Sequence, residues 1–354
     1  MSTIAVNAIT DANGGSTTSI NGTTPNAYNT VGKNLVINGA MQIAQRGTSA
    51  SVTGSTYLTC DRWRILKPSA ATATVTVSQS TDAPDGFSNS LKWETTAAGT
   101  LGSGSYLSIE QKLEGQTLQQ LAFGTTSAKK WTLSFWVKSS ITGTYAVSHY
   151  SADNSGRIIG ATYTVNTANT WEKKTITYDG DTAASLDNDN NESLRVDFHL
   201  AANSDMKSSD NTSWTAYSAS AWAYGQEADL CTNTGTFYLT GVQLEVGESA
   251  TEFEHRPYGL ELALCERYYQ LWSSGWAGVS GGANYNQSCY SAFRQTMRAT
   301  PTMTRLSGTN SARYPSSTWY AIYTYPEGSA FRMQAATAGG NDAWYAKGSA
   351  DAEL

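Results

Sequence analysis

Leu194-Arg195-Val196-Asp197-Phe198-His199-Leu200 decides the fold class. Leu194, Val196, Phe198 and Leu200 fall on one face of an extended chain, and Arg195, Asp197 and His199 on the other. Side chains of a strand alternate with a period of two, so this is a strand with a buried and a polar side. The same reading applies upstream to Trp131-Thr132-Leu133-Ser134-Phe135-Trp136-Val137-Lys138 and Glu172-Lys173-Lys174-Thr175-Ile176-Thr177-Tyr178, and downstream to Phe237–Glu245. Gly, Asn, Ser and Asp turns separate these segments. Short strands with turn punctuation and no helical alternation imply an all-β antiparallel sandwich and exclude a parallel nucleotide-binding sheet. Gln116–Phe123 reads as a short helical connection.

Working outward, residues 34–256 form the main β-domain, and residues 1–33 an extended arm. Ile4, Val6 and Ile9 suggest one short strand in the arm, which has too little apolar surface to fold alone. Two readings stand: a disordered tail, or a segment that orders by adding a strand to a partner. Residues 257–272 read as a helical linker, opened by Pro257, with Leu260, Leu264, Tyr268 and Leu271 at helical spacing. Residues 273–354 return to strands and form a smaller C-terminal β-sandwich domain.

The 354 residues suffice for such a multi-domain core. Charged residues make up only 15%, so the surface is hydrated mainly by Ser, Thr and Asn, as suits an exposed particle. The net charge is -6 and no basic run exists, which argues against nucleic acid as a partner. No stretch approaches the roughly 18 apolar residues of a membrane span, and the N-terminus does not read as a signal peptide. Membrane insertion is therefore not expected. Cys60, Cys231, Cys265 and Cys289 lack metal-ligand spacing and read as buried free thiols, consistent with assembly in a bacterial cytoplasm. No metal or other cofactor is expected.

No catalytic constellation stands out. The chain has three His, at 149, 199 and 255, and no G-x-S-x-G elbow. His199 lies on the polar face of its strand, and His255 reads as a linker residue packed between domains. The neighbouring acids Glu110/Glu114, Asp179/Asp181 and Glu252/Glu254 read as strand edges or solvated loops. Asp187-Asn-Asp-Asn-Asn-Glu192 reads as a turn, since it lacks the glycine and terminal glutamate of a calcium loop. The chain is therefore not expected to be an enzyme.

Aromatic residues point to binding. The 20 Tyr and 11 Trp outnumber the 8 Phe, and Tyr and Trp suit surfaces that are half apolar and half wet. Sugar rings present apolar C–H faces and polar edges, so aromatics beside amides and acids can bind them. One candidate set lies in the Ser/Ala-rich loop: Trp214, Tyr217, Trp222 and Tyr224. The other lies in the C-terminal domain: Trp319, Tyr320 and Tyr323. Packing between subunits is the competing reading for both.

Three stretches carry a family pattern. They are Asn34-Leu-Val-Ile-Asn-Gly-Ala-Met-Gln-Ile-Ala-Gln-Arg-Gly47 with Asp61-Arg62-Trp63; Gly241-Val-Gln-Leu-Glu-Val-Gly-Glu-Ser-Ala-Thr-Glu-Phe-Glu-His-Arg-Pro257; and Leu262–Tyr269 with Met297–Thr302 and Asp351-Ala-Glu-Leu354. Together they resemble phage tail-fibre and related appendage proteins, of the marine and cyanobacterial type, that contain a carbohydrate-binding-type jelly roll. The resemblance implies a virion structural protein, assembled as a homotrimer and located on the particle surface. The arm, residues 1–33, reads as the segment that docks to a tail, collar or capsid protein, and the aromatic sets point to recognition of a host surface polysaccharide. A capsid decoration or collar protein without a receptor role and a polysaccharide depolymerase are the alternatives. In cellulose- and xylan-binding relatives a structural calcium lies near the first and last strands. Asn38, Gln42 and Glu245 occupy that region here, with Gln42 where a carboxylate is expected.

Overall fold

The computed structural model describes residues 32–279, 286–310, 320–334 and 341–354. The expected arm strand at Ile4, Val6 and Ile9 lies outside the described residues, as does Trp319. The architecture is all-β, with one α-helix among the described residues.

The larger part is a jelly-roll sandwich. Its strands are β1 (Ser49–Ser51), β2 (Thr56–Tyr57), β3 (Arg64–Leu66), β4 (Thr74–Ser80), β5 (Ser90–Ala97), β6 (Tyr106–Glu114) and β7 (Trp131–Ser139). They continue with β8 (Gly143–Ser151), β9 (Arg157–Val165), β10 (Glu172–Tyr178), β11 (Glu192–Ala202), β12 (Thr215–Ala216) and β13 (Gly235–Val246). The first sheet has the order β1-β4-β5-β13-β7-β10, and the second β12-β9-β8-β11-β6-β3-β2. The strand pairs are antiparallel.

The alternation in β11 is realised directly. Leu194, Val196, Phe198 and Leu200 are fully buried between the sheets. Phe198 meets Phe135 of β7 edge-on at 5.0 Å and Trp63 at 6.2 Å. Trp93, Trp131 and Phe237 belong to the same core. Each such side chain contributes about 1.5–3 kcal/mol on burial. The connection at Gln116–Phe123 contains two short 3-10 turns, Gly115–Thr117 and Gln119–Leu121.

A helix, α1 (Tyr258–Glu266), follows. It is shorter than the 257–272 linker expected from the sequence, because from Tyr269 onward the backbone pairs with a strand instead. Its buried side also differs from the expected apolar stripe. Leu260 is exposed, whereas Glu261, Cys265 and Glu266 are buried. Polar burial is tolerated here because each acid is satisfied. Glu261 accepts from the Asn38 amide, and Glu266 from Arg294 Nη1 at 2.7 Å.

The C-terminal part contains β14 (Tyr269–Val279), β15 (Asn286–Ala292), β16 (Thr302–Asn310), β17 (Tyr320–Tyr325), β18 (Gly328–Gln334) and β19 (Asn341–Asp351). They form two three-stranded sheets, β14-β19-β16 and β15-β18-β17. Trp272 stacks on Phe331 at 4.2 Å between them, with Met297, Ala346 and Ala350 filling the small core.

Candidate functional site

The polar side of the β11 alternation lies on the outer face of the second sheet. Register places Arg195 opposite Lys112, Asp197 opposite Glu110 and His199 opposite Ser108. On the other flank of β11, Tyr150 opposes Arg195 and Ser148 opposes Asp197. Three adjacent strands thus present one cluster of charged, hydroxyl and aromatic groups.

The long Ser/Ala-rich segment folds over part of this face. Met206, Ala221 and Trp222 pack on Ile158 and Ala202. Ser148 Oγ donates to the Trp222 carbonyl at 2.5 Å, and Asn211 Nδ2 to the Ala221 carbonyl at 2.6 Å. Gly160 permits this docking, since a Cβ there would sit 2.4 Å from Asn211 Nδ2. The segment is therefore held by its own polar backbone contacts.

An aromatic wall results. Tyr150, Tyr217 and Trp222 have ring centroids 5.2 Å apart in every pairing. Tyr106 meets Trp222 at 5.6 Å. The Arg195 guanidinium lies 5.4 Å from the Tyr150 ring and 5.6 Å from that of Trp222. Trp222 is only 4% accessible, whereas Tyr217 is 43% accessible and forms the outer end of the wall.

The floor beside this wall is charged. Glu110 accepts from Arg64 Nη1 and lies 3.8 Å from Arg195 Nη1. Asp197 accepts from Ser108 Oγ at 3.3 Å. Burial raises the carboxyl pKa of Glu110, but Arg195, the hydrogen bond from Asp197 and Arg64 outweigh it and leave it below the usual range. Burial and the Glu110 charge push Asp197 well up. The two carboxyls are thus shifted in opposite senses, Asp197 being the harder of the pair to ionise. His199 is buried beneath the covering segment, with Nε2 3.2 Å from Ser148 Oγ. Burial lowers its pKa to about 3, so it is neutral.

The structure brings Tyr217 and Trp222 together and separates them from Trp214. That indole packs on Phe123 at 5.6 Å and donates to the Asp179 carbonyl at 2.8 Å, away from the wall. Tyr224 is half-buried in the same segment as Trp222. Sequence reasoning missed Tyr106, Tyr150 and Arg195. The signal was available for Arg195, which occupies an outward position of the quoted strand.

In the C-terminal domain Tyr323 is 62% accessible, and Tyr320 belongs to the same strand, β17. Tyr290 and Tyr323 both oppose Ala330 from either side of β18, and Tyr325 opposes Gly328. A Cβ at Gly328 would sit 2.3 Å from Tyr290 Oη, so this glycine makes room for the ring. Tyr290, Tyr323 and Tyr325 thus flank small residues on one sheet face.

Glu110, Glu114 and Asp181 are buried and not solvated as expected: Glu110 faces Asp197 across β6 and β11, and Asp181 accepts from Arg157 Nε at 2.5 Å. His255 does not pack between domains: it is exposed and contacts the rings of Phe87 and Phe253. Cys60, Cys231 and Cys265 are buried free thiols, while Cys289 is only half-buried. The residues in the comparable calcium region do not fit a metal. Asn38 uses its side chain on the Ile43 amide and the Ile43 and Asp61 carbonyls, and Glu245 accepts from Thr251 N and Oγ1. In the acidic turn, Asp189 caps Asn191. No helix among the described residues is long and apolar enough to cross a membrane.

No family model matches the chain. No curated protein matches it. Solved structures with a similar fold include the enzymatically active domain of bacteriophage CBA120 tailspike protein 4, at 15% identity and a TM-score of 0.32. That match covers 60% of this chain and 21% of the tailspike chain, so only about a fifth of the tailspike is spanned. A xylan-binding domain from Paenibacillus barcinonensis is similar at 10% identity and a TM-score of 0.30, covering 62% of this chain and 100% of that domain. A family 11 carbohydrate-binding module from Clostridium thermocellum is similar at 14% identity and a TM-score of 0.31, covering 63% and 99%.

Proposed function

We propose that this chain is a phage virion structural protein, a fibre or appendage subunit that binds a host surface glycan on the outer face of its second sheet. The observation that carries the reading is the wall of Tyr150, Tyr217 and Trp222 beside Arg195 and Arg64. Aromatic faces pack on the C–H side of a sugar ring, and fixed charged groups beside them hydrogen-bond its hydroxyls. Tyr217 is the residue that first meets the ligand, with Trp222 as its rigid backing. Tyr323, on the same strand as Tyr320, supplies a further contact surface on the C-terminal domain. Residues 1–33, with Ile4, Val6 and Ile9, dock the subunit on a tail, collar or capsid protein. Assembly as a homotrimer multiplies weak single-site binding into useful avidity.

Glycan cleavage is disfavoured by the carboxyl geometry. Glycosidase acids stand about 5–9.5 Å apart with the bond to be cut between them. Glu110 and Asp197 are register partners on β6 and β11 and are fully buried, so no sugar bond can lie between them. Electron microscopy of intact particles with this protein labelled tests the virion assignment. Label at the tail or baseplate periphery in groups of three supports the appendage reading. Label spread over the capsid lattice sinks it in favour of decoration, and unlabelled particles sink the virion assignment altogether.

A further inference from the structure

A second aromatic recess lies on the opposite side of the sandwich. β13 bulges between Thr240 and Gln243, and Gly241 in that bulge has φ +61°. A Cβ at Gly241 would sit 2.7 Å from Phe87 Cζ and 3.0 Å from Trp136 Cδ1. Only glycine suits both the left-handed backbone and the close rings. Thr240 Oγ1 donates to the Asn89 carbonyl at 2.7 Å and ties down the loop that carries Phe87.

The residues that follow Gly241 build the other wall. The Glu254 amide donates to Gln243 Oε1 at 2.8 Å, and Thr251 N and Oγ1 donate to the Glu245 carboxylate at 2.8 and 2.7 Å. These bonds fix the strand-like return that bears Phe253 and His255. Their rings lie 5.0 and 5.2 Å from Phe87. The outcome is an open cleft of about 260 Å³ lined by Phe87, Trp136, Phe253 and His255, with Asp85, Lys173 and Glu252 at its rim.

We infer that this cleft is a second saccharide site, for an uncharged terminal sugar unit. The rim offers acceptors on Asp85 and Glu252 and a donor on Lys173, the mixed set that hydroxyl groups require. A purely apolar partner would desolvate these charges without return. Two acids against one lysine disfavour a polyanion. At about 260 Å³ the cleft falls just below the usual range of ligand clefts, about 300 to 1,000 Å³, which suits a terminal sugar and not a long chain. The cleft is separate from the second-sheet face, so a single subunit can engage two glycan branches at once.

The test uses the full chain carrying Tyr217→Ala, which weakens the second-sheet face. Saturation-transfer NMR is run with glucose, galactose, mannose, N-acetylglucosamine and their β-1,4-linked disaccharides. Sugar C–H signals should persist in this background for at least one of them. Adding Trp136→Ala should weaken that binding about tenfold or more, as expected for losing an aromatic anchor. Adding Glu252→Gln, at an exposed position that leaves folding intact, should weaken it less but measurably. No signal in the Tyr217→Ala background, or binding indifferent to both added substitutions, overturns the inference.

Discussion

Arg62 and Glu353 lie 291 residues apart in the chain and form a buried ion pair. Arg62 also donates from Nη2 to the Lys112 carbonyl at 2.6 Å and lies 3.4 Å from the Tyr268 ring. Arg46 stands beside it, 3.2 Å from both Asp351 and Glu353 and 3.6 Å from the Tyr269 ring. The C-terminal end of the chain is thus clamped to the first loops of the jelly roll. The same seam includes the Asn34 amide donating to Glu254 at 2.9 Å and Arg256 Nη1 donating to the Val36 carbonyl at 3.1 Å. The three stretches that carry the family resemblance therefore meet in space, and they hold the two parts of the chain together.

Removing one partner of a buried pair strands the other charge, which costs about 3–5 kcal/mol. Glu353→Gln should lower the unfolding free energy by about that amount in urea titrations. The double substitution Arg62→Met, Glu353→Leu should recover much of the loss. Equal stability of Glu353→Gln and the parent would remove the clamp from the account.

Gly241→Ala tests the bulge. The added methyl group meets Phe87 and Trp136, and an L-residue at φ +61° is strained as well. Overpacking and strain of this kind cost about 1–3 kcal/mol each. The urea midpoint should fall and the Trp136 fluorescence should shift. An unchanged midpoint would show that the two rings move aside freely.

Much of this architecture can be read in the sequence because period-two alternation is a direct consequence of strand geometry. β11 declares itself through Leu194 to Leu200 without any neighbour. The helix was less legible. Leu260 and Leu264 have helical spacing, but Glu261 and Glu266 face inward because Asn38 and Arg294, remote in the chain, satisfy them. Site residues depend on such remote pairings too. Tyr150 joins Tyr217 and Trp222 only through the register of β8 with β11 and the folding of residues 203–228 over that face. The cleft at Gly241 could not be foreseen, since Phe87, Trp136 and Phe253 come from separate strands and loops.

His149 gives the fold an acid sensitivity. It is fully buried between Trp131 at 4.3 Å and Tyr178 at 4.4 Å, and neither ring nitrogen has a hydrogen-bond partner among the described protein groups. Burial lowers its pKa from 6.5 to about 3. The unfolded chain therefore binds this proton more readily, and the contribution to stability is full above about pH 6.5 and lost as pH falls toward 3. Asp197 acts in the opposite sense, because its raised pKa costs stability as pH rises above the ordinary carboxylate range. Comparing His149→Gln with the parent cancels the Asp197 contribution. The variant should lose less stability than the parent between pH 7 and pH 4 in urea unfolding. Parallel pH profiles would contradict the assignment.

Trp222 and Tyr217 should separate stability from binding. Trp222 is buried under its own segment, and truncating a buried indole costs about 3–5 kcal/mol. Tyr217 stands at the exposed end, so Tyr217→Ala should cost less than about 1 kcal/mol. Thermal melts of the two variants check this order, and a larger loss for Tyr217→Ala would show that the wall is a structural prop.

The central claim is that the Tyr150–Tyr217–Trp222 wall binds glycan. The most direct measurement is affinity electrophoresis of the full chain through gels containing host surface polysaccharide, with Tyr217→Ala run beside it and folding checked by circular dichroism. The account predicts retardation of the parent and binding weakened about tenfold or more in the folded variant, the loss expected of an aromatic anchor. Equal retardation of both proteins, or none for either, would contradict it.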